Sequence, residues 1–301
     1  MNRESKTDLA VLFFTLLTFL NTMKYLAYYN GAIGELSELT VPFCDRVCFF
    51  GDGVYDATYA RNRKIFTLDE HVDRLYKSAE EAKIEPPVSK SDLTRLLLSL
   101  VAKCDATETL VYVQFTRGIS IPRKHAFDGG KSNLWITVTP KQITPQEKRF
   151  NLSSFPDRRY DYCRIKTLNL FPNVLAANHA AEHDCDESVF VENGIVHECA
   201  HSNVHILKNG TLFSPPAGEK VLGGIARKHL LQACRVLEIP VEERFFTLEE
   251  TFSADEVYVT SAGTLLTPCA SLDGKDIGGK DDFTTNRLQT YLYREFYDAT
   301  E

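Results

Sequence analysis

The order of apolar and polar positions divides the first half of the chain into strands and helices. Alternating apolar residues on both sides of a short polar turn predict hairpins, and apolar residues recurring every three or four positions predict helices. Asn30-Gly31 and Arg61-Asn62-Arg63 supply the turns. The predicted elements are hairpin strands at 25–29 and after 31, a second hairpin at 54–60 and 64–68, helices at 69–84 and 91–104, and strands at 110–116 and 134–138.

A polar segment with two prolines, residues 139–148, separates these elements from a second half that is richer in strands. There the turns Asn193-Gly194 and Asn209-Gly210 separate four short apolar segments, which predict a meander of neighbouring strands. Helices are predicted at about 172–183, 225–237 and 284–297. The pattern predicts a mixed α+β fold with a smaller N-terminal α+β domain, residues 23–143, and a larger strand-rich C-terminal domain, residues 144–301.

The first 22 residues do not fit this pattern. Residues 9–20 form an apolar run after Arg3 and Lys6 that is similar to the core of a signal peptide, but no small-x-small cleavage site follows it. The run is too short for a membrane-spanning helix, which needs about 20 residues. We expect residues 1–22 to be an extension outside the fold, or a misassigned start, and we expect no membrane association; a membrane-attached enzyme is the alternative.

Composition and charge narrow the classes of function. The formal net charge is −7 and the basic residues are scattered, so the chain lacks the positive surface that binds nucleic acid or anionic lipid. The eight cysteines form no Cys-x-x-Cys pair, which predicts free thiols in a reducing cytoplasm and no metal site or disulfide framework. No Gly-x-Gly-x-x-Gly motif follows a predicted strand, which disfavours a Rossmann-type nucleotide enzyme.

Seven segments carry the candidate chemistry. They are FGDGVYDATYA (50–60), FTLDEHVDRLYKSA (66–79), RGISIPRKHAF (117–127), IKTLNL (165–170), GIVHECAHSNVHILKNG (194–210), VLGGIAR (221–227) and VTSAGTLLTP (259–268). In this order and spacing they resemble the fold-type IV aminotransferases, which use pyridoxal 5′-phosphate, and especially the D-amino acid aminotransferases. The resemblance covers about residues 24–290. It implies a homodimer with its active site at the subunit interface.

The resemblance assigns the cofactor's reactive groups to three residues. Lys166 matches the lysine that binds the cofactor as a Schiff base and then moves a proton between the substrate Cα and the cofactor. Glu198 matches the carboxylate that keeps the pyridine nitrogen protonated, so that the ring accepts electrons. Arg74 matches the arginine that binds the phosphate. The alternatives are a surface lysine, a half-exposed strand glutamate, and a helix arginine paired with Glu70 or Asp73.

The other cofactor contacts that the resemblance implies lie around a predicted helix start. Gly224, Ile225 and Ala226 would offer backbone N–H groups to the phosphate, since a helix N-terminus favours anions. Ser261 would offer a hydroxyl, and Leu222 would pack against the cofactor ring.

The chain departs from the family's pattern at four positions in these segments. Ala226 and Ala262 stand where relatives often carry a hydroxyl residue, so binding of the phosphate would depend more on Arg74 and on backbone groups. Cys199 and His201 stand where many relatives have glycine and serine. For His201 we weigh a strand-edge histidine bonded to backbone against a role in tuning cofactor or substrate.

The substrate-binding residues implied by the resemblance are Tyr55, Arg123 and His125. In the D-amino acid enzymes an Arg-x-His pair from the neighbouring subunit binds the substrate α-carboxylate together with a tyrosine, through charge-assisted hydrogen bonds. The alternative is a basic surface loop.

The sequence thus predicts transamination of D-amino acids with 2-oxo acids, such as D-alanine with 2-oxoglutarate to give pyruvate and D-glutamate. A branched-chain L-amino acid aminotransferase or an aminodeoxychorismate lyase on the same fold is the alternative within enzymes. A carbohydrate or peptide binder without the cofactor is the alternative from another class.

Overall fold

The computed structural model describes residues 24–127 and 129–301, so the predicted extension at 1–22 lies outside the described residues. The first half is built on a six-stranded sheet of order β2-β1-β6-β5-β3-β4, in which every neighbouring pair is antiparallel. Its elements are β1 (Leu26–Tyr29), β2 (Ala32–Glu35), α1 (Arg46–Phe50), β3 (Gly53–Arg61), β4 (Lys64–Ile65), α2 (Leu68–Glu81), α3 (Lys90–Val101), β5 (Glu108–Thr116) and β6 (Asn133–Pro140). Both predicted hairpins are confirmed.

Helices α2 and α3 pack against this sheet and form the first core. Leu75 of α2 and Leu97 of α3 are buried together with Phe115 of β5 and Ile136 of β6. Burial of one such side chain stabilises the fold by about 1.5–3 kcal/mol. The predicted helix at 91–104 is thereby confirmed, although it ends at Val101.

Helix α2 ends earlier than the sequence predicts. The sequence predicts a helix to about Ile84, but the helix ends at Glu81 because Lys83 adopts a left-handed conformation with φ of 54°. The N–H of Ile84 then donates to the carbonyl of Ala79 at 2.8 Å, which closes the helix end with a Schellman bond.

The second half is built on a ten-stranded mixed sheet of order β12-β11-β10-β14-β15-β7-β8-β9-β13, with β16 paired to β15. Its predicted helices are confirmed, with ends shifted by at most two residues. The elements are β7 (Phe150–Pro156), α4 (Phe171–Glu182), β8 (Glu187–Glu192), β9 (Ile195–Cys199), β10 (Asn203–Lys208), β11 (Thr211–Ser214), α5 (Ile225–Val236), β12 (Val241–Glu243), β13 (Phe246–Thr247), α6 (Leu248–Ser253), β14 (Glu256–Thr260), β15 (Thr267–Leu272), β16 (Lys275–Asp276) and α7 (Asp282–Ala299).

The predicted meander of four neighbouring strands is wrong. The two Asn-Gly turns do close hairpins, β8 with β9 and β10 with β11, but four other strands lie between β9 and β10 in the sheet order. The chain turns sharply after β9, where the carboxylate of Glu187 accepts a hydrogen bond from the N–H of His201 at 2.7 Å. Beyond this turn β10 pairs with β14. A turn signal specifies its own hairpin, whereas the neighbour of the next strand depends on long-range pairing.

The segment between the two sheets is shorter than the sequence predicts. β6 continues to Pro140, which pairs with Thr109, so the polar segment begins after it and not at residue 139. Proline lacks an N–H donor but is tolerated at the end of a strand. The predicted domain boundary at residues 143/144 lies between β6 and β7; it stays a prediction. Over the two described ranges, no helix is both long enough and apolar enough to cross a membrane.

One histidine links helices from both halves of the chain. The ring of His229 in α5 lies 3.0 Å from Glu70 of α2 through Nε2 and 2.8 Å from Glu295 of α7 through Nδ1. The hydrogen bond to Glu295 outweighs partial burial and, with the charge of Glu70, raises the pKa of His229 above its ordinary value.

We predict that His229→Gln lowers stability in a pH-dependent way. Because the pKa of His229 is raised in the folded state, its contribution is fully present below about pH 6.5 and is lost as pH rises through the folded pKa. After allowance for the exposure of the two glutamates, we expect a deficit of about 1 kcal/mol at pH 6 that shrinks toward pH 8. Urea unfolding of the variant and wild type at both values measures it.

The matched control for this prediction is His183→Gln. The His183 ring bonds to the backbone carbonyl of His179 and not to two carboxylates, so its effect on stability should not follow the same pH course. A His229→Gln deficit that is independent of pH would contradict a charged ring between the two glutamates.

Candidate active site

A cavity of about 410 Å³ is lined by residues from both halves of the chain. It brings together nine of the eleven residues that the sequence singled out. These are Tyr55, Arg74, Lys166, Glu198, Leu222, Gly224, Ile225, Ala226 and Ser261. Arg123 and His125 do not line it.

Lys166 follows β7 in the second half but is attached to the sheet of the first. Its carbonyl accepts a hydrogen bond from the N–H of Tyr55 at 2.9 Å, and Leu168 donates to the carbonyl of Gly53 at 3.0 Å. The N–H of Lys166 donates to Ser78 of α2 at 3.2 Å. The side-chain amine lies 4.3 Å from the centre of the Tyr55 ring. Two secondary-structure elements thus fix the backbone of this lysine at the cavity wall.

This attachment requires glycine at position 53. A Cβ there would lie 2.6 Å from the Leu168 side chain and 2.7 Å from the carbonyl of Phe115. Only glycine permits such a close approach of two backbone segments.

Glu198, at the end of β9, is a buried carboxylate that lines the cavity. One of its oxygens binds the Arg159 guanidinium, and the other accepts from the N–H of Leu222 at 2.9 Å and from Asn203 at 3.1 Å. Burial raises the pKa of Glu198, although the charge of Arg159 opposes this. A carboxylate offers about four acceptor positions, so three donors leave room for one more.

Arg159 lines the cavity and contacts Glu198, and the sequence did not single it out. It connects Glu198 to Asp157, to which its Nη2 donates at 2.8 Å, and its guanidinium carbon lies 4.1 Å from the centre of the Phe190 ring. His197 contacts the same Asp157 at 2.8 Å. A buried positive charge therefore backs the carboxylate of Glu198.

Arg74 pairs with Asp56 and not with Glu70 or Asp73. Its Nε and Nη2 each donate to one oxygen of Asp56 at 2.8 Å, and its Nη1 donates to the carbonyl of Gly223 at 3.3 Å. Burial alone would favour the neutral form of Asp56, but Arg74 and His71 outweigh it and hold the pKa of this carboxyl well below its usual range.

His71 is the third member of this hydrogen-bonded group. Its Nδ1 lies 2.6 Å from Asp56. Burial lowers the pKa of His71 despite that carboxylate, and the charges of Arg74 and Lys166 add to the effect. A neutral ring is consequently favoured beside the two cations.

An anion site is formed where Arg74 meets the first turn of α5. The helix begins at Ile225 after Gly224, and no side chain caps its first N–H groups. A Cβ at Gly224 would overlap the amide oxygen of Asn203, so a side chain at this position would force the backbone away. Uncapped N–H groups, the helix dipole and a guanidinium together favour a phosphate.

Ser261 and the two alanines contribute less to this anion site. The Ser261 hydroxyl is 3.1 Å from the Thr264 hydroxyl and accepts from the Thr264 N–H at 3.3 Å, inside its own turn. Ala226 and Ala262 line the cavity without a hydroxyl. Side-chain donors for the anion are therefore concentrated on Arg74.

Arg123 and His125 lie on an exposed loop outside the cavity. The Arg123 guanidinium carbon is 4.4 Å from the centre of the Phe50 ring, and the His125 ring centre is 5.1 Å from it. Tyr55, the third predicted contact of the substrate, lines the cavity and stacks on Tyr112 at 5.5 Å. Within one chain the three residues are not brought together, and their shared role stays a prediction.

The two unusual residues after Glu198 have different environments. Cys199 is buried in the core of the second sheet, and burial raises its pKa well above the ordinary value. The largely exposed His201 lies at the cavity with its Nδ1 3.2 Å from the buried Glu187. His201 thus contacts a carboxylate, where we had weighed a backbone partner.

The donor set fits pyridoxal phosphate. A lysine amine lines the cavity beside an aromatic ring, a buried carboxylate keeps one acceptor position for a protonated ring nitrogen, and an anion site opens at a helix N-terminus. Leu222 supplies an apolar surface on the same cavity.

We predict that Asp56→Asn strongly destabilises the protein at neutral pH. The change leaves the partly buried Arg74 and the buried His71 without their carboxylate, and breaking an ion pair of a buried charge costs about 3–5 kcal/mol. Because the pKa of Asp56 is depressed, its contribution is present above about pH 4 and is lost as pH falls through the folded pKa. Urea unfolding should show the deficit shrinking in acid.

Asp73→Asn is the control on the same helix. Asp73 is exposed and pairs with Lys90 at the surface, so its loss should change stability by less than about 1 kcal/mol. An equal loss of stability in Asp56→Asn and Asp73→Asn would contradict the importance of the Asp56–Arg74 pair.

Comparisons with known proteins agree with this geometry. The amino-transferase class IV family matches residues 53–272. The chain is 36% identical over 276 residues to the D-alanine aminotransferase of Listeria monocytogenes, covering 90% of this chain and 96% of that protein. It is also 36% identical over 276 residues to the D-alanine aminotransferase of Bacillus licheniformis, covering 90% and 97%.

Solved structures share the fold at lower identity. The branched-chain amino acid aminotransferase of Escherichia coli has a TM-score of 0.82 at 21% identity, covering 92% of this chain and 96% of that one. The branched-chain aminotransferase of the thermophilic archaeon Thermoproteus uzoniensis, solved with norvaline, has a TM-score of 0.81 at 21% identity, covering 89% and 93%. The chain belongs to the class IV aminotransferases and has the fold-type IV architecture.

Proposed function

We propose that this aminotransferase uses pyridoxal 5′-phosphate to transfer the amino group of D-amino acids to 2-oxo acids, with D-alanine and 2-oxoglutarate as the representative pair. The observation that carries the proposal is one cavity that holds Lys166, the buried Glu198 and the anion site of Arg74. The D-alanine aminotransferases of Listeria monocytogenes and Bacillus licheniformis support the choice of substrate.

The cofactor, when bound, supplies an aldehyde carbon for the amino group and a protonated ring that takes up electrons from the substrate Cα. Lys166 would hold the cofactor through its side-chain amine and, when that amine is free, would carry the proton to and from the substrate Cα. Glu198 would keep the ring nitrogen protonated. Arg74 and the first N–H groups of α5 would bind the phosphate, and Leu222 would pack against the ring.

For the substrate we propose a carboxylate site shared between two subunits. Tyr55 would contribute from the subunit that holds the cofactor, and Arg123 with His125 from the other. Charged N–H donors on a short loop suit a carboxylate. The exposure of both residues within one subunit supports the proposal, since their side chains lie outside the cavity of their own chain.

The surface around this loop supports a homodimer. Phe43 is 83% exposed and Ile121 is 78% exposed, and Phe49 and Phe127 are further exposed apolar residues of the same region. Phe43 contacts Phe49 with ring centres 5.9 Å apart. Clustered exposed apolar residues mark interaction surfaces, and the partner we propose is a second copy of this chain.

We further propose that the enzyme works in the cytoplasm. All eight cysteines are free thiols, including the half-exposed Cys44 and the exposed Cys48 at a spacing of four residues. Persistent free thiols are typical of a reducing compartment.

We expect Lys166→Ala to abolish transamination between D-alanine and 2-oxoglutarate, with a loss of at least about 1000-fold, because the nucleophile and the proton carrier are both removed. Pyruvate formation measures the reaction, and the visible absorbance of the lysine-bound cofactor should disappear. Lys141→Ala is the matched control, since Lys141 lines the same cavity but has no proposed role.

The same assay separates the alternative functions. A wild-type preference for L-leucine over D-alanine would identify a branched-chain enzyme, and turnover of aminodeoxychorismate with pyruvate release would identify a lyase. Near-normal activity of Lys166→Ala would refute the assignment of the lysine.

We predict that Lys166→Ala, which is inactive, and Arg123→Ala, which keeps only weak activity toward D-alanine, complement each other when they are mixed and allowed to form dimers again. A mixed dimer then has one site with both an intact lysine and an intact arginine. With random pairing about half of the dimers are mixed, so activity should return to about a quarter of wild type. Mixed dimers that form but stay inactive would contradict the shared carboxylate site.

A further inference from the structure

The loop that carries Arg123 and His125 is attached to the fold by one buried arginine. Arg46, the first residue of α1, donates from Nη1 to the carbonyl of Lys124 at 2.7 Å and from Nη2 to the carbonyl of His125 at 2.8 Å. Nη1 also reaches the carbonyl of Ala126 at 3.5 Å. One guanidinium therefore contacts the backbone of three consecutive residues. Arg46 lies outside the segment that matches the aminotransferase family.

The convergence of these carbonyls determines the curvature of the loop. Along an extended chain, successive carbonyls point to opposite sides, so three consecutive carbonyls meet one cation only where the backbone curves around it. The loop has no helix or strand at 121–127, and its side chains there are exposed. The planar fork of an arginine, with its fixed donor directions, supplies the partner that regular secondary structure would otherwise provide.

The side chain of Arg46 is itself held by the carboxylate of Asp52. Its Nε donates to Asp52 at 2.7 Å, and only a small part of its side chain is exposed. Asp52 lies between α1 and β3, three residues before Tyr55. Rotation of the guanidinium is thereby restricted, because the bond to Asp52 uses one edge of the fork and the loop uses the others.

The side chains of Arg46, Arg123 and His125 all lie close to the Phe50 ring. The Arg46 guanidinium carbon lies 4.9 Å from the ring centre, that of Arg123 lies 4.4 Å from it, and the His125 ring centre lies 5.1 Å from it. Arg46 and Phe50 stand one helical turn apart on α1. Cations within about 6 Å of an aromatic ring are attracted to it. Helix α1 thus holds the backbone carbonyls of the loop and orients the side chains of Arg123 and His125.

We infer that Arg46 is a positioning residue for the substrate carboxylate, which it serves by presenting Arg123 and His125 in a fixed geometry to the site of the other subunit. This inference rests on the proposed function, in which these two residues bind the carboxylate. Arg46 does not touch the substrate. It sets the preference of the enzyme for amino acids over amines that lack a carboxylate.

The test compares D-alanine with D-alaninamide, which keeps the amine and the Cα but lacks the charged carboxylate. We expect Arg46→Lys to lower the ratio of the two kcat/KM values by about 10–100-fold, the scale expected for a displacement of about 1 Å in a binding group. Lysine keeps the charge beside Asp52 but cannot reach several carbonyls at once. The loss should appear mainly in KM for D-alanine.

Arg117→Lys is the matched control. Arg117 pairs with the same Asp52 at 2.9 Å, and it donates to the carbonyls of Lys83 at 2.6 Å and Ala82 at 2.8 Å, at the end of α2. The substitution disturbs the same carboxylate and removes a similar set of backbone bonds, but none of them to residues 124–126. The Arg117 guanidinium carbon also lies 4.1 Å from the centre of the Phe127 ring, and lysine keeps a cation for this contact. The ratio should stay within about twofold of wild type in this variant, since no proposed carboxylate contact moves.

A double-mutant cycle separates failure of the inference from failure of the proposed function. If Arg46 acts through Arg123, adding Arg46→Lys to Arg123→Ala should lower the ratio little further, whereas independent effects would multiply. An unchanged ratio in Arg123→Ala would refute the proposed carboxylate site itself. A reduced ratio in Arg123→Ala with an unchanged ratio in Arg46→Lys would overturn only the role of Arg46.

A purely structural role for Arg46 is also distinguishable. It would lower activity toward both substrates equally and leave the ratio unchanged, which overturns the inference. If Arg46→Lys does not fold, Phe50→Leu tests the same geometry, because it removes the aromatic support from a half-buried position and leaves the Asp52 pair intact. The ratio should again fall, and an unchanged ratio in Phe50→Leu would overturn the inference.

Discussion

Two backbone hydrogen bonds between the segment at Lys166 and strand β3 determine where the site forms. Tyr55 donates to the carbonyl of Lys166, and Leu168 donates to that of Gly53. The lysine follows β7 of the second sheet but is attached to the first, so the cavity exists only where the two halves meet. Backbone bonds do not depend on side-chain rotamers, and they place the Lys166 amine and the Tyr55 ring on the same wall.

The buried charges around this cavity occur in pairs of opposite sign. Asp56 is paired with Arg74, and Arg159 is paired with Glu198 and Asp157. An unpaired charge in a buried site would cost several kcal/mol, and a pair with good hydrogen bonds offsets much of that cost. The same pairs fix side-chain positions. The side chains of Arg74 and Glu198 therefore keep their orientation in the cavity wall, because a residue of opposite charge binds each of them.

Local features of the fold were predictable from the sequence, and long-range ones were not. The helix at Ile225 and the hairpin at Asn193-Gly194 follow from periodicity and turn chemistry within a few residues. The position of β10 beside β14 depends on pairing across about fifty residues of chain, which no local pattern encodes. Lys166 was found by resemblance and not by physics, since a single lysine among apolar neighbours carries no chemical signal of its own.

The same distinction explains which site residues were missed. Arg159 and Asp56 act through another side chain, and each meets its partner only in the folded protein. A faint signal did exist for Asp56, because it is a charged residue within the alternating apolar pattern of β3. A buried charge in a strand requires a partner of opposite sign. The sequence therefore implied that a partner exists without indicating that it is Arg74.

The two alanines at the anion site make the ion pair between Asp56 and Arg74 important. With alanine at positions 226 and 262, and with the Ser261 hydroxyl held inside its own turn, few side-chain donors remain for a phosphate. The backbone N–H groups of α5 are fixed by the helix, so the adjustable part of the site is Arg74. Its orientation depends in turn on both oxygens of Asp56. Under the proposed function, binding of the cofactor phosphate and stability of the fold thus depend on the same buried ion pair. A change that weakens the Asp56–Arg74 pair must then affect both.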